Sequence, residues 1–417
     1  MPDDTLPLAG IKIIEFSHLV MGPVTGVILA DLGATVTKIE PIGGDKTRNL
    51  TGSGAGYFPM YNRNKRSICI DLKSDDGRDV AYRLLQDADV LIENFRSGAM
   101  AKLGFAYETL RAMNPGLIYC SLKGFLSGPY ENRTALDELA QMMGGLAYMT
   151  GFPGRPLRAG SSIIDITSGM FGVIAILSAI EQRNRTGDGQ QVTSSLFETT
   201  AFIVGQHMAQ QGVLGEPPPP MSVRNSAWSV YDIFESRDGE QLFVGVVSDT
   251  GWQQFCEEFE LRELADDPDL ATNNARVLRR DKIIAEIAGM FRGMDKDEMI
   301  RRLEKSGIPF APINRPADLF DDPHLNANNG LLKLTLPHSE TGNDHVRVPA
   351  LPVEMNGCRF GLYRELPGPG QDTIEVLSDA GYANSEIQSL LSSGLVKSAS
   401  VISKPRVSSV DLLDERQ

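Results

Sequence analysis

This chain is poor in the residue patterns that make chemistry easy to read. Its four cysteines, Cys69, Cys120, Cys256 and Cys358, lie far apart without CxxC spacing. That argues against a redox or zinc-ribbon motif and leaves reduced, structural thiols, with Cys69 and Cys120 in strand-like apolar runs. The five histidines, His18, His207, His324, His338 and His345, form neither an HxH nor an HExxH pair, so no metal is expected. No GxGxxG follows the first strand-like run, no GxxxxGK[ST] phosphate loop occurs, and no GxSxG marks a hydrolase serine. Positive charge is also scarce: 40 Lys and Arg against 54 Asp and Glu give a net charge of -14. A surplus of that sign repels phosphate backbones and anionic membranes, so nucleic acid and membrane are not expected partners. No apolar run is read as approaching the roughly 20 residues that span a bilayer. The acidic start Met1-Pro2-Asp3-Asp4 lacks the basic and apolar regions of a secretory signal, and the expected location is cytoplasmic.

What is present is an alternation of strand and helix patterns. Short β-branched runs at Ile11 to Phe16, Val36 to Glu40, Ser67 to Leu72, Val90 to Phe95 and Leu117 to Leu122 are separated by helical stretches near 23–32 and 75–87. This is the pattern of βαβ units around a parallel sheet. Ligands gather where loops leave the carboxyl ends of such strands, here Ser17 to Met21, Glu40 to Arg48 and Asn94 to Lys102. Ile42-Gly43-Gly44-Asp45 after the second strand is weak evidence for dinucleotide binding. Further helices are expected over 134–150, 165–183 and 196–214, with a turn at Arg185 to Gly189 and a strand at Gln191 to Ser194.

Pro217 to Pro220 makes a stiff extended connector and marks a boundary, with a plain surface loop as the other reading. The expected organisation is a large domain over 1–215, a linker at 216–222, a small α+β domain over 223–325, a return to the large domain over 326–397 and a loose tail at 398–417.

Asp165 stands at the mouth of the long apolar run that continues to about Ile180. A helix start can hold the charge of such a carboxylate while apolar neighbours exclude water, which suits a nucleophile. The plainer reading is an N-cap. His18, directly after the first strand, is equally a ligand group or a hydrogen-bonded structural histidine. Arg63, Lys65, Arg66 and Lys73 concentrate positive charge that fits either phosphate groups or a solvated loop.

Several ordered blocks together carry more information than any one of these. Leu8 to Phe16 with Gly22-Pro23, Ala30 to Pro41, Gly44-Asp45-Lys46-Thr47-Arg48 and Asn62 to Ser67 open the series. Ile92-Glu93-Asn94-Phe95, Gly124-Phe125 with Gly128-Pro129-Tyr130, Arg185 to Gln190, Gly307-Ile308-Pro309 and Pro367 to Gly370 continue it. Over roughly residues 8–395 the chain resembles the class III CoA-transferases, the formyl-CoA transferase and carnitine CoA-transferase family.

The resemblance implies an α/β fold with a Rossmann-like large domain, a parallel sheet and a smaller α+β domain, assembled as an interlocked homodimer. It implies acyl-CoA and an organic acid as substrates, with no permanently bound cofactor. The family's catalytic aspartate matches Asp165, which would form a mixed anhydride and then an aspartyl-CoA thioester. His18, Lys73, Asn94, Phe95 and Lys102 match CoA-contacting positions, Lys102 in place of an arginine. A Gly-containing loop would supply backbone N–H groups to the oxyanion.

The sequence also departs from formyl-CoA transferase. Val20 replaces a glutamine, Leu136 replaces a tyrosine, and the four-glycine flap is absent between Pro220 and Tyr231. The α-methylacyl-CoA racemases are similar too, but their proton-exchanging histidine would fall on Leu136, which cannot exchange a proton. A non-catalytic acyl-CoA binding protein is the third reading. Arg48, Arg158 and Arg224 are candidates for the second carboxylate of a dicarboxylic substrate.

Overall fold

The computed structural model describes residues 5–224, 226–336 and 344–399. It divides into two compact units, residues 1–218 with 324–417, and 219–323. Most of the tail expected at 398–417, and His338, lie outside the described residues.

The larger unit is built on a sheet whose strands are β1 (Lys12–Phe16), β2 (Thr35–Glu40), β3 (Arg66–Ile70), β4 (Val90–Glu93), β5 (Ile118–Lys123) and β6 (Gln191–Ser195). These six pair in parallel in the order β3-β2-β1-β4-β5-β6, and Val396–Lys397 closes the β3 edge antiparallel. Period-2 alternation explains why the strands read as apolar throughout: both faces are covered. Ile14, Phe16, Leu91 and Tyr119 face one core, and Ile13, Val90, Ile92 and Cys120 face the other.

Three helices matter most here: α1 (Met21–Asp31), α2 (Asp75–Gln86) and α3 (Asp137–Met143). The amphipathic α2 starts at Ser74, whose hydroxyl accepts from the Gly77 N–H at 2.9 Å, and buries Val80, Ala81, Leu84 and Leu85 on the first core. The second core is covered by α1 and by the 24-residue α5 (Ile163–Thr186). The helix expected over 134–150 is broken: α3 ends at Met143, Gly145 takes a left-handed φ of 85°, and α4 (Leu146–Thr150) follows. The turn expected from Arg185 starts later, because α5 runs to Thr186 and stops on Gly187 at φ 81°. The final helix of this region, α6 (Leu196–Leu214), leaves β6 directly.

By length and composition α5, at 24 residues, is apolar enough to cross a membrane. This corrects the expectation that no run approaches a spanning length. The same composition serves a helix packed against α1, β5 and β6.

The smaller unit holds an antiparallel three-stranded sheet, Val230–Glu235, Gln241–Val246 and Phe310–Pro312, with the helices Asp249–Glu258, Arg280–Phe291 and Lys296–Ser306. Its core includes Trp252, Phe255, Phe291 and Leu303. Cys69, Cys120 and Cys256 are buried free thiols, and Cys358 is exposed.

Candidate active site

The strand order reverses direction at β1. From β1 the chain steps outward to β2 and β3, then returns through α2 to β4 on the other side. Loops leaving the carboxyl ends of β1 and β4 therefore diverge, and a crevice opens between them. A cavity of about 600 Å³ lies there, within the usual range for small-molecule sites. His18 to Met21, Asn94 to Ser97, Lys123-Gly124, Glu131 to Asp137, Asp165 and Leu196 line it.

Where they leave the sheet, the two loops are clamped to each other. The His18 N–H donates to Asn94 Oδ1 at 3.1 Å, and Asn94 Nδ2 donates to the His18 carbonyl at 2.8 Å. Leu19 adopts φ 63°, strained for a branched side chain, and its N–H donates to Thr47 Oγ1 at 3.0 Å. The rings of His18 and Phe95 lie 5.6 Å apart. Burial holds the His18 imidazole below its ordinary value, against the pull of Asp45 and with a smaller push from Lys38, which favours the neutral ring.

Asp165 sits in the first turn of α5, half-buried between Ile164 and Ile166. It is not the cap. The helix starts two residues earlier at Ile163, and the capping oxygen comes from Asp137 on α3. Asp137 Oδ2 accepts from the Ile164 N–H at 2.8 Å and the Asp165 N–H at 3.0 Å, and its Oδ1 accepts from Gln141 Nε2 at 2.6 Å. Burial pushes the Asp165 carboxyl up to about 7, the Asp137 charge adds to the rise, and Arg158 partly offsets it. On the helix Tyr57–Tyr61, the Tyr61 phenol is raised to about 12 by burial, then by Tyr57 and Asp165.

Four of the six site residues singled out in the sequence, Asp165, His18, Asn94 and Phe95, meet at this cavity. Lys73 and Lys102 do not line it. Both are exposed, Lys73 in the turn after β3 and Lys102 at the end of the short helix Ala99–Lys102 that follows β4. The charged run Asn62 to Arg66 is neither phosphate site nor solvated loop. Arg63 pairs with Asp31 at 2.6 Å and Lys65 with Glu15 at 2.8 Å, both buried, and Arg66 pairs with Asp379 at 2.6 Å. Of the three arginines considered for a substrate carboxylate, Arg48 is held by Glu40 and the Pro367 carbonyl, and Arg224 donates to the Met221 carbonyl. Arg158 stays near the site, 3.7 Å from Asp137 and 3.9 Å from Glu138.

Sequence reasoning missed Asp137, Arg96 and Arg133. Arg96 follows the Asn94-Phe95 pair directly, which was a usable signal, and Arg133 lies over the Tyr130 ring at 4.9 Å. Among the described residues no three His, Cys, Asp or Glu side chains converge as a metal site.

A carboxyl poised near neutrality, half-withdrawn from water beside a cavity of small-molecule size, is fitted for nucleophilic or proton-transfer chemistry. The comparisons agree in kind. The chain is 35% identical over 404 residues to an acyl-CoA transferase of Fusarium pseudograminearum, covering 93% of this chain and 88% of that protein. It is 33% identical to a succinate–glutarate CoA-transferase of Agrobacterium fabrum, covering 91% and 97%. A CAIB/BAIF family protein from Brucella suis superposes with a TM-score of 0.78 at 33% identity, covering 90% of this chain and 99% of that one. Residues 8–373 match the model of CoA-transferase family III, and the chain belongs to that family.

Proposed function

We propose that the protein moves CoA between short organic acids, dicarboxylic ones in particular, with Asp165 as the covalent carrier. The observation that carries this reading is Asp165 itself, a half-buried carboxyl raised to about 7 on the wall of the cavity at the strand-order reversal. The Asp165 carboxylate attacks the thioester carbonyl, the C–S bond breaks, and CoA thiolate leaves a mixed anhydride. The thiolate then attacks the aspartyl carbonyl and releases the donor acid, forming an aspartyl-CoA thioester. The acceptor carboxylate repeats both exchanges in reverse, so Asp165 is regenerated. Over the whole cycle one thioester is broken and one is made, so no ATP is consumed. Withdrawal of Asp165 among isoleucines supports this chemistry, because water would hydrolyse both intermediates.

In this reading His18, Asn94 and Phe95 hold the CoA thioester arm, and Lys73 and Lys102 contribute charge for its phosphates at the same edge of the sheet. Arg96 and Arg133 add positive charge at the cavity wall. Leu136, 61% exposed there, offers an aliphatic surface where a racemase needs a proton carrier, which favours transfer over racemisation. The Agrobacterium relative's succinate and glutarate support a dicarboxylate. The active species is read as a cytoplasmic homodimer, interlocked as the family resemblance implies.

Trapping tests the nucleophile. Incubation with succinyl-CoA and hydroxylamine should convert Asp165 to its hydroxamate, seen as a mass change on the peptide that contains it. Asp165→Ala should lose transfer by on the order of 10⁴-fold or more while keeping CoA affinity. An unmodified Asp165 after turnover, or an active Asp165→Ala, refutes the reading.

A further inference from the structure

We propose that Asp137 is a positioning residue for Asp165: its carboxylate holds the first turn of α5 by that turn's own backbone N–H groups and presents a second negative charge to the Asp165 carboxyl. The inference rests on the reading of Asp165 as nucleophile.

Helix N-termini leave backbone N–H groups without partners inside the helix, and a residue just before the helix normally supplies the acceptor. In α5 that position is Ser162, whose side chain caps nothing; its hydroxyl lies 3.3 Å from the Tyr57 hydroxyl instead. Asp137 takes over from 27 and 28 residues away in the chain, one oxygen shared by the Ile164 and Asp165 N–H groups. Its other oxygen is fixed by Gln141, whose own Oε1 accepts from the Ala159 N–H at 2.8 Å, so the loop before α5 is tied to the same group. The Ile166 N–H is also occupied, donating to the Ser162 carbonyl at 3.0 Å. The N–H groups of Ile164, Asp165 and Ile166 are thus spent on structure and do not serve a substrate oxyanion.

Capping alone needs an acceptor, and a serine or asparagine provides one. A buried carboxylate does more, because a like charge beside Asp165 disfavours ionisation and keeps part of the population protonated at pH 7. The charged groups acting on Asp165 are Asp137 on α3 and Arg158 on the preceding loop, and its own charge raises Tyr61 on the short helix Tyr57–Tyr61; Glu138 lies 3.9 Å from Arg158, and the Tyr57 hydroxyl lies against Ser162. Across the cavity stand His18, Lys123 and Glu131, with Arg96 and Arg133. Lys123 is already paired with Glu93 at 2.6 Å. Since the nucleophile is the carboxylate, raising its pKa means that turnover increases with pH through neutrality; removing the Asp137 charge moves that rise to lower pH.

The test is the pH profile of kcat/KM, which reports the free enzyme, for exchange of ¹³C-succinate into succinyl-CoA, with hydroxylamine trapping run in parallel. Wild type should show a midpoint near 7. Asp137→Asn keeps an acceptor and removes the charge, so its midpoint should fall by about one pH unit. Asp137→Glu keeps the charge but displaces it, so the midpoint should stay while kcat/KM drops roughly tenfold. Unchanged profiles for Asp137→Asn, with Asp165 still trapped, overturn the inference and leave the nucleophile standing. Failure to trap Asp165 in wild type overturns the nucleophile and this inference with it. Should Asp137→Asn not fold, Arg158→Gln applies the same electrostatics with opposite sign: its midpoint should rise, and a static midpoint refutes the proposal.

Discussion

Lys65 is fully buried, its ammonium 2.8 Å from Glu15 Oε2 and 3.0 Å from the Pro23 carbonyl. Burial lowers its pKa to about 8 even against the pull of Glu15. Burial works to raise the Glu15 carboxyl, but Lys65 and Lys38 together outweigh it and hold the group below its usual range. Lys38 in turn donates to the Ser17 carbonyl at 2.6 Å, immediately before His18. The network therefore anchors the β1 loop that forms one wall of the cavity. Breaking one partner of such a cluster strands the other charge, and Lys65→Met should cost about 3–5 kcal/mol. Urea denaturation would measure it; a variant within about 0.5 kcal/mol of wild type would show that the ion pair is not needed. None of this was legible in Asn62 to Arg66, because the acids that neutralise the run, Asp31 and Glu15, come from α1 and β1. Asp137 was hidden for the same reason: its meaning lies in contacts with a helix 27 residues further on. Asp165, His18 and the Asn94-Phe95 pair could be found because strand ends and the resemblance point to them locally.

At the scale of elements, the position of Asp165 depends on how closely α5 can approach α1. A Cβ at Gly169 would lie 2.8 Å from the Met21 carbonyl oxygen, and one at Gly172 would lie 2.9 Å from the Leu122 side chain. Thr25 reinforces the contact by donating to the Gly169 carbonyl at 3.0 Å. Gly169→Ala should push α5 outward, lowering stability by about 1–3 kcal/mol and kcat together, since Asp165 lies one turn away. Thermal unfolding and kcat with succinyl-CoA check both; a wild-type Tm with full activity would mean that the helix pair is looser than its geometry implies. Long elements with two apolar faces or a clear helical stripe, β1 to β5 and α2 among them, were legible from period alone. Val230–Glu235 was not, because Asp232 interrupts a short half-exposed strand that gains its identity by pairing with Gln241–Val246. Val396–Lys397 is two residues long and exists as a strand through its neighbour β3. Gly144-Gly145 breaks a helix that apolar spacing alone carries through.

For the whole molecule, the apolar residues left uncovered on α5 and α6 carry the argument. Met170 and Ile174, four residues apart, share one outward stripe of α5, and Ile174 is 57% exposed. On α6 Phe202 is 73% exposed, its ring 5.4 Å from that of Phe171, and Met208 lies further along the same helix. Monomers rarely leave large contiguous apolar patches in water, so the homodimer proposed above predicts that these helices face the second copy. A helix as apolar as α5 would be satisfied in that way without a bilayer, which reconciles its composition with a chain carrying a net charge of -14. The protein should elute from gel filtration at about twice its 45.5 kDa mass. Phe202→Glu combined with Ile174→Glu places like charges on the patch and should shift elution toward the monomer, while circular dichroism stays close to wild type. A wild-type species at 45.5 kDa, or a double variant that elutes unchanged, would remove α5 and α6 from the interface and leave their exposed faces to another partner.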